Sequence, residues 1–154
     1  MELSRILTLD RILMPMQVRD KFDAITQLID LLATRGALQN RDAALAAVLK
    51  RESDATTGIG CGLAIPHAKS DGTKSLVLAA GKPAAPIDFL SHDGQPVFLI
   101  MLLVSPPDHT GPHIRTLAQI ARLMNASGFR QAAEQAGTAE ELHAAIARYE
   151  QAEA

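Results

Sequence analysis

Apolar residues recur at helical spacing through residues 20 to 35, where Phe22, Ile25, Leu28, Ile29 and Leu32 would line one face. Asp20 is placed to cap the start of that helix and Gly36 to close it. Asn40 opens a second helical pattern with Ala44, Leu45, Val48 and Leu49 on its inner face. It runs into Arg51-Glu52 and is broken by "SDATTGIG". The period then changes. Leu63 to Ile65 and Leu76 to Ala80 are short apolar runs bounded by glycine and proline, as strands are, with turn signals at "SDG" (70–72) and "HDG" (92–94). In "PVFLIMLLVSPP" the positions from Val97 to Val104 are apolar without a break, which calls for a strand covered on both faces. After "DHTGPH" helical spacing returns, with Ile114, Leu117, Ile120, Ala121 and Met124 as the buried stripe and Gly128 past its end. "GFRQAAEQAG" is a short helical piece. Thr138 and Glu141 form a capping box for a last helix facing inward with Leu142, Ala145, Ile146 and Tyr149.

Helices and strands interleave, which predicts an α/β fold: a single layered domain over residues 1–154, its central mixed β-sheet flanked by helices on both faces. A chain of 154 residues buries roughly 70% of its unfolded surface and needs neither metal nor disulfide to fold. With no Trp, one Tyr and four Phe, the core must be aliphatic, and stacking platforms for single-stranded nucleic acid are missing. Formal charge is −2 with the signs mixed along the chain, so no basic stripe offers itself to a nucleic-acid backbone. The single cysteine, Cys61, excludes an internal disulfide and fits a reducing compartment. Charges at Glu2, Arg5, Asp10 and Arg11 rule out a signal peptide, and the longest apolar run is far short of a membrane span. A cytoplasmic protein without membrane insertion is expected.

The chemistry candidates gather in "RESDATTGIGCGLAIPHAKSDG". Gly58, Gly60 and Gly62 do not make a dinucleotide fingerprint, because a helix precedes them and a strand follows. They make either a flexible turn or one whose exposed N–H groups receive an anion. Pro66 removes a backbone donor, so the strand should end there and leave His67 at the rim of the sheet. Neutral imidazole is a competent nucleophile near pH 7. His113 falls where the third helix begins, a position that attracts phosphate and equally suits any polar residue. Arg51 adds a bidentate guanidinium if the glycine turn folds toward His67, and otherwise is a solvated residue at a helix end. His109 and His113 are four apart, but Gly111 and Pro112 speak against a helix through both, and no CxxC or HExxH accompanies them; no metal is expected. His92 and His143 read as surface residues.

"TGIGCGLAIPHAKSDG" resembles the active-site segment of the enzyme IIA domains of the bacterial phosphotransferase system, fructose/mannitol class, whose T-G-[IV]-G-x-G-[IVL]-A-[IVL]-P-H pattern is filled at every fixed position. The likeness extends to "LTLDRILMPMQVRDKFDAITQLIDLLATRGAL" and to "DGQPVFLIMLLVSPPDHTGPHIRTLAQIARLM", and so covers nearly the whole chain in order. It implies that His67 is the phosphorylated nucleophile and that His113 orients the phosphoryl group without carrying it. It also implies that Arg51, with the Gly60 backbone, binds phosphate. No cofactor is implied. The implied partners are an HPr-like phosphocarrier and either a IIB component, for fructose or mannitol uptake, or the target proteins of the nitrogen-regulatory branch. No IIB, IIC or HPr segment is fused to the chain, which favours the regulatory branch. Cys61 stands where Asn or another polar residue is common. A binding module on the same fold that has lost transfer is the alternative of another class, and the joint presence of His67, His113 and Arg51 argues against it.

Overall fold

The computed structural model describes residues 2–152. Helix α1 (Leu3–Ile6) and a 3-10 turn (Leu9–Arg11) lead into strand β1 (Ile12–Met16), followed by helices α2 (Lys21–Thr34) and α3 (Arg41–Asp54). Three short strands come next: β2 (Gly58–Gly60), β3 (Leu63–Ala64) and β4 (His67–Lys69). Strands β5 (Val77–Pro83) and β6 (Leu99–Ser105) are the longest, and α4 (Thr110–Asn125), α5 (Phe129–Gln135) and α6 (Ala139–Ala152) close the chain.

The strands form one mixed sheet in the order β1-β5-β6-β3-β2, with β4 continuing along the same edge of β6. Strand β6 lies antiparallel to β5 and parallel to β3 and β4. Every residue of β6 is buried, as an unbroken apolar run requires. Its side chains alternate between two cores. Leu99, Met101 and Leu103 join the core under α1, α4, α5 and α6. Ile100, Leu102 and Val104 join the core under α2 and α3. The expected layering, a mixed sheet between helices, is what the chain adopts. Among the described residues no helix is long and apolar enough to cross a membrane.

The caps behave as the residues dictate. Asp20 accepts from Asp23 N at 2.8 Å and Asn40 from Ala43 N at 3.0 Å, while Gly36 takes a positive φ of 74° after α2. Thr138 Oγ1 accepts from Glu141 N at 3.1 Å. Helix α3 runs on through Ser53-Asp54, which the broken pattern there did not foretell. Two inner faces also differ from the apolar periodicity. On α2, Phe22 is 41% exposed and Lys21 is buried in its place. On α4 the buried stripe is His113, Thr116, Ile120, Leu123 and Met124, and Ile114 is 60% exposed. The cause is polar pairing: a hydroxyl from β6 engages His113 from inside and extends the buried face to His113 and Thr116, while Ile120 and Met124 stay in it. Gly111 and Pro112 do not block this helix. Pro112 sits in its first turn, where a missing N–H costs no helical bond, and His109 is the N-cap.

Candidate functional site

The glycine segment is a β-hairpin. Gly58 pairs with Ala64 and Gly60 with Leu63, leaving a two-residue loop of Cys61 and Gly62, both with positive φ (57° and 87°). That is the backbone of a type I′ turn, whose favoured residues are Asn-Gly. Gly62 is obligatory for a second reason: a Cβ there would meet the Phe98 ring at 2.5 Å. Asp93 grips the loop from outside, Oδ2 accepting from Cys61 N at 2.8 Å and Oδ1 from Gln95 N at 3.0 Å. These bonds hold its carboxyl below the usual range. A carboxylate oxygen also lies 3.0 Å from where a Cβ on Gly60 would sit. The observed neighbour of Gly60 is therefore an acid, and one amide of the turn is already taken.

Strand β3 ends before Pro66, at Ala64, but the pairing with β6 does not stop there. Pro66 costs one ladder donor, yet its carbonyl accepts from Leu103 N at 3.0 Å. The pairing with β6 resumes at His67↔Leu103 in the register set by Leu63↔Leu99. His67 is thus the first residue of a resumed edge strand, half-buried, rather than the residue beyond a strand's end. Its Nδ1 lies 2.7 Å from the Ile65 carbonyl oxygen. A carbonyl only accepts, so Nδ1 carries the hydrogen and Nε2 keeps its lone pair. Burial, the largest influence, pushes the His67 pKa down, and the charge of Arg51 adds to this against the Ile65 hydrogen bond and Glu52. The ring is neutral at pH 7 with one nitrogen ready to bond an electrophile.

His113 stands beside it, the ring centroids 5.7 Å apart and the planes tilted by 57°. Its Nδ1 shares a 2.5 Å hydrogen bond with the hydroxyl of Ser105, the fully buried last residue of β6. Burial first, then the charges of His67 and Lys69, lower its pKa to about 4. Lys69 closes the same corner, its Nζ donating to Thr110 Oγ1 at 3.2 Å. Arg51, on the last turn of α3, donates from Nη1 to the Ala55 carbonyl at 2.8 Å and is near enough to act on His67. His67, His113 and Arg51 are brought into one neighbourhood. His109 is the N-cap of α4, 3.8 Å from Asp108 and not a co-ligand of His113. His92 is exposed as expected, but His143 is half-buried, with Nε2 2.8 Å from the Ser4 carbonyl oxygen. Among the described residues no three His, Cys, Asp or Glu side chains are grouped to hold a metal ion.

A residue that the apolar pattern passed over supports this arrangement. Glu52 is 2% exposed and accepts from Lys21 Nζ at 3.1 Å, from Thr57 N at 3.0 Å and from the Thr57 hydroxyl. Thr57 in turn offers its carbonyl to Ile65 N at 3.0 Å, and Ile65 offers its own to His67. The signal lay in the spacing: positions 44, 48 and 52 share a helix face, and a carboxylate on an apolar face needs a buried partner. Lys21 stands in the same relation to Ile25, Leu28 and Leu32.

An open mixed sheet with helices on both faces, carrying two neutral histidines where one sheet edge meets a helix start, defines the class: an α/β domain with a histidine-centred site. Residues 5–149 match the family described as "Phosphoenolpyruvate-dependent sugar phosphotransferase system, EIIA 2", and the chain belongs to that family, whose IIA domains are phosphotransfer components. It is 36% identical over 121 residues to the PTS system fructose-specific EIIA component of Haloferax volcanii, covering 79% of each chain. It is also 36% identical over 124 residues to a nitrogen regulatory protein of Bradyrhizobium diazoefficiens, covering 80% of each. The crystal structure of nitrogen regulatory protein IIA-Ntr from Neisseria meningitidis superposes with a TM-score of 0.82 at 29% identity, over 94% of this chain and 98% of that one.

Proposed function

We propose that the chain acts, as one domain in the cytoplasm, as a phosphohistidine carrier that accepts a phosphoryl group on Nε2 of His67 from an HPr-like donor. The observation that carries this reading is the bond from His67 Nδ1 to the Ile65 carbonyl, which leaves Nε2 unprotonated in a ring that stays neutral at pH 7. In the transfer, the Nε2 lone pair forms the new N–P bond as the donor's own N–P bond breaks, and the departing imidazole nitrogen recovers its electron pair. Little covalent work falls to the protein, so in-line positioning and neutralisation of phosphoryl charge carry the catalysis. Arg51 supplies fixed positive charge. With the Ser105 hydroxyl donating to Nδ1, His113 presents Nε2–H as a hydrogen-bond donor to the phosphoryl oxygens. Gly60 shapes the turn beside them. Ile59 and Ile114, 50% and 60% exposed on the segments that carry the site, suit a modest and reversible partner interface.

Of the two branches, the reading favours a regulatory IIA protein, supported by its similarity to the Neisseria structure. Transfer onward to a IIB cysteine for sugar uptake is the second reading, supported by the equal identity to the fructose-specific component. The test is intact-mass labelling with phosphoenolpyruvate, enzyme I and HPr, or the regulatory-branch donors. One acid-labile phosphoryl group is expected on the wild type and none on a folded His67→Ala. His113→Ala should still be labelled, with transfer slower by about 10²-fold, the scale of one lost transition-state donor. No labelling of the wild type by either donor set would leave the non-catalytic binding module as the better reading. A IIB domain that removes the label rapidly would decide for transport.

A further inference from the structure

A cleft that neither His67 nor His113 lines runs along α4. It holds about 730 Å³ between α1, the 3-10 turn, residues 75–76 and α4. Its walls carry four arginines, Arg5, Arg11, Arg115 and Arg122, and neither an aspartate nor a glutamate. Ile6, Leu76 and Pro112 add apolar surface. Acids flank it, and Asp10 lies close enough to Arg11 for their charges to interact. Glu2 pairs with Arg5 at 3.5 Å, Asp10 is bound by the Thr8 hydroxyl at 2.5 Å, and Asp108 is 3.8 Å from His109. Among the described residues Arg115 and Arg122 make no ion pair, and Arg11 Nε is shut off from solvent without an acceptor. A buried guanidinium N–H left unpaired is costly, and like charges gathered around a concavity raise its affinity for anions.

We propose that this cleft is a binding site for a small organic phosphate carrying at least two negative charges, a molecule the size of a nucleoside diphosphate. Guanidinium forks match phosphate oxygens bidentately, and the apolar wall accepts an uncharged body. The volume falls within the range of about 300–1,000 Å³ typical of small-molecule sites. A concavity of this size on a chain of net charge −2 favours a small anion over a nucleic-acid backbone. His109, Pro112 and Thr116 line the cleft on the helix that carries His113, so a ligand there touches the turn beneath the histidine pair without entering it.

The experiment is calorimetric titration of the full chain at low salt with ADP, inorganic pyrophosphate and citrate in separate runs. One ADP per chain is expected, with Kd below about 1 mM. Binding should weaken at least tenfold in the double variant Arg115→Gln/Arg122→Gln and stay unchanged in His67→Ala. Both arginines are exposed, so their neutral replacements should keep the wild-type unfolding temperature. Absence of saturable binding for all three ligands overturns the site. Binding that survives in the arginine variant and disappears in His67→Ala overturns it as well, by placing the anion at the histidine pair. Citrate bound in preference to ADP overturns the phosphate assignment.

Discussion

Replacing Glu52 by Gln tests whether the buried carboxylate holds the histidine site together. The side chain keeps its shape but loses its charge, leaving Lys21, 8% exposed, without a counter-ion. An amide has one acceptor oxygen for the three donors that now converge on the carboxylate, Lys21 Nζ, Thr57 N and the Thr57 hydroxyl. Breaking a buried ion pair from one side costs about 3–5 kcal/mol. The oxygen that remains can keep two hydrogen bonds, as one carboxylate oxygen now does for Lys21 Nζ and Thr57 N, each worth about 1 kcal/mol, so a net loss of about 1–3 kcal/mol is expected. Against a stability on the order of 5–15 kcal/mol for a domain, that is readily measured by urea unfolding at pH 7 with an unchanged m-value. The variant also loosens Thr57, through which Ile65 and then His67 are placed. Nitrogen NMR of the His67 ring should therefore show a smaller population with hydrogen on Nδ1, and phosphoryl acceptance should slow. A stability loss below 1 kcal/mol, or an unaltered His67 tautomer in a destabilised protein, would refute the chain of contacts from Glu52 to the His67 ring.

Four further outcomes follow from the site. Because the His67 pKa is lowered, its neutral form persists below pH 6.5; phosphoryl acceptance should be full above its pKa and fall as pH drops through it, so a midpoint above 6.5 would contradict the assignment. For His113, the unfolded chain takes up a proton near pH 6.5 and the folded one only near 4, so stability should decline as pH falls across that window, by about 1–2 kcal/mol once solvent screening is allowed for; denaturant titrations at pH 7 and 4.5, with His113→Asn as control, check this. Gly62→Ala forces a Cβ into the Phe98 ring at positive φ and should cost about 2–4 kcal/mol, whereas Cys61→Asn meets the preference of the left-handed turn position and should gain about 0.5 kcal/mol, both read from the unfolding midpoint.

The parts of the fold legible in the sequence are those where apolar periodicity and end signals agree. Asp20 and Asn40 cap the helices they precede, and most of the run from Val97 to Val104, from Leu99 onward, becomes the strand with a core on each face. Prediction failed where polar groups are buried by pairing. Ile114 faces outward because Ser105 draws His113 inward, and Phe22 yields its place to a lysine that Glu52 neutralises. Periodicity counts apolar residues, so it cannot register two polar side chains that satisfy each other across elements distant in sequence. β2 was hidden for a related reason: glycine lacks strand propensity, and only the pairing of Gly58 with Ala64 makes the segment extended.

The proline before His67 shows how a residue that breaks a strand pattern can sit inside a longer run of pairing. A proline in a strand was expected to terminate it and expose the next residue. The chain instead uses it as a gap in a continuous ladder, His67 pairing with Leu103 in the register already set by Leu63. Within that gap Ile65 turns its N–H to Thr57, and its carbonyl accepts from the His67 ring. The bonds to β6 are made by the carbonyls of Gly62 and Pro66, so Ile65 faces away from that strand, toward Thr57. Thr57 N donates to Glu52 instead of to Ile65, which leaves the Ile65 carbonyl to the His67 ring while the resumed pairing holds the His67 backbone. A nucleophile that must be neutral, hydrogenated on one chosen nitrogen and placed to a fraction of an ångström needs both conditions together.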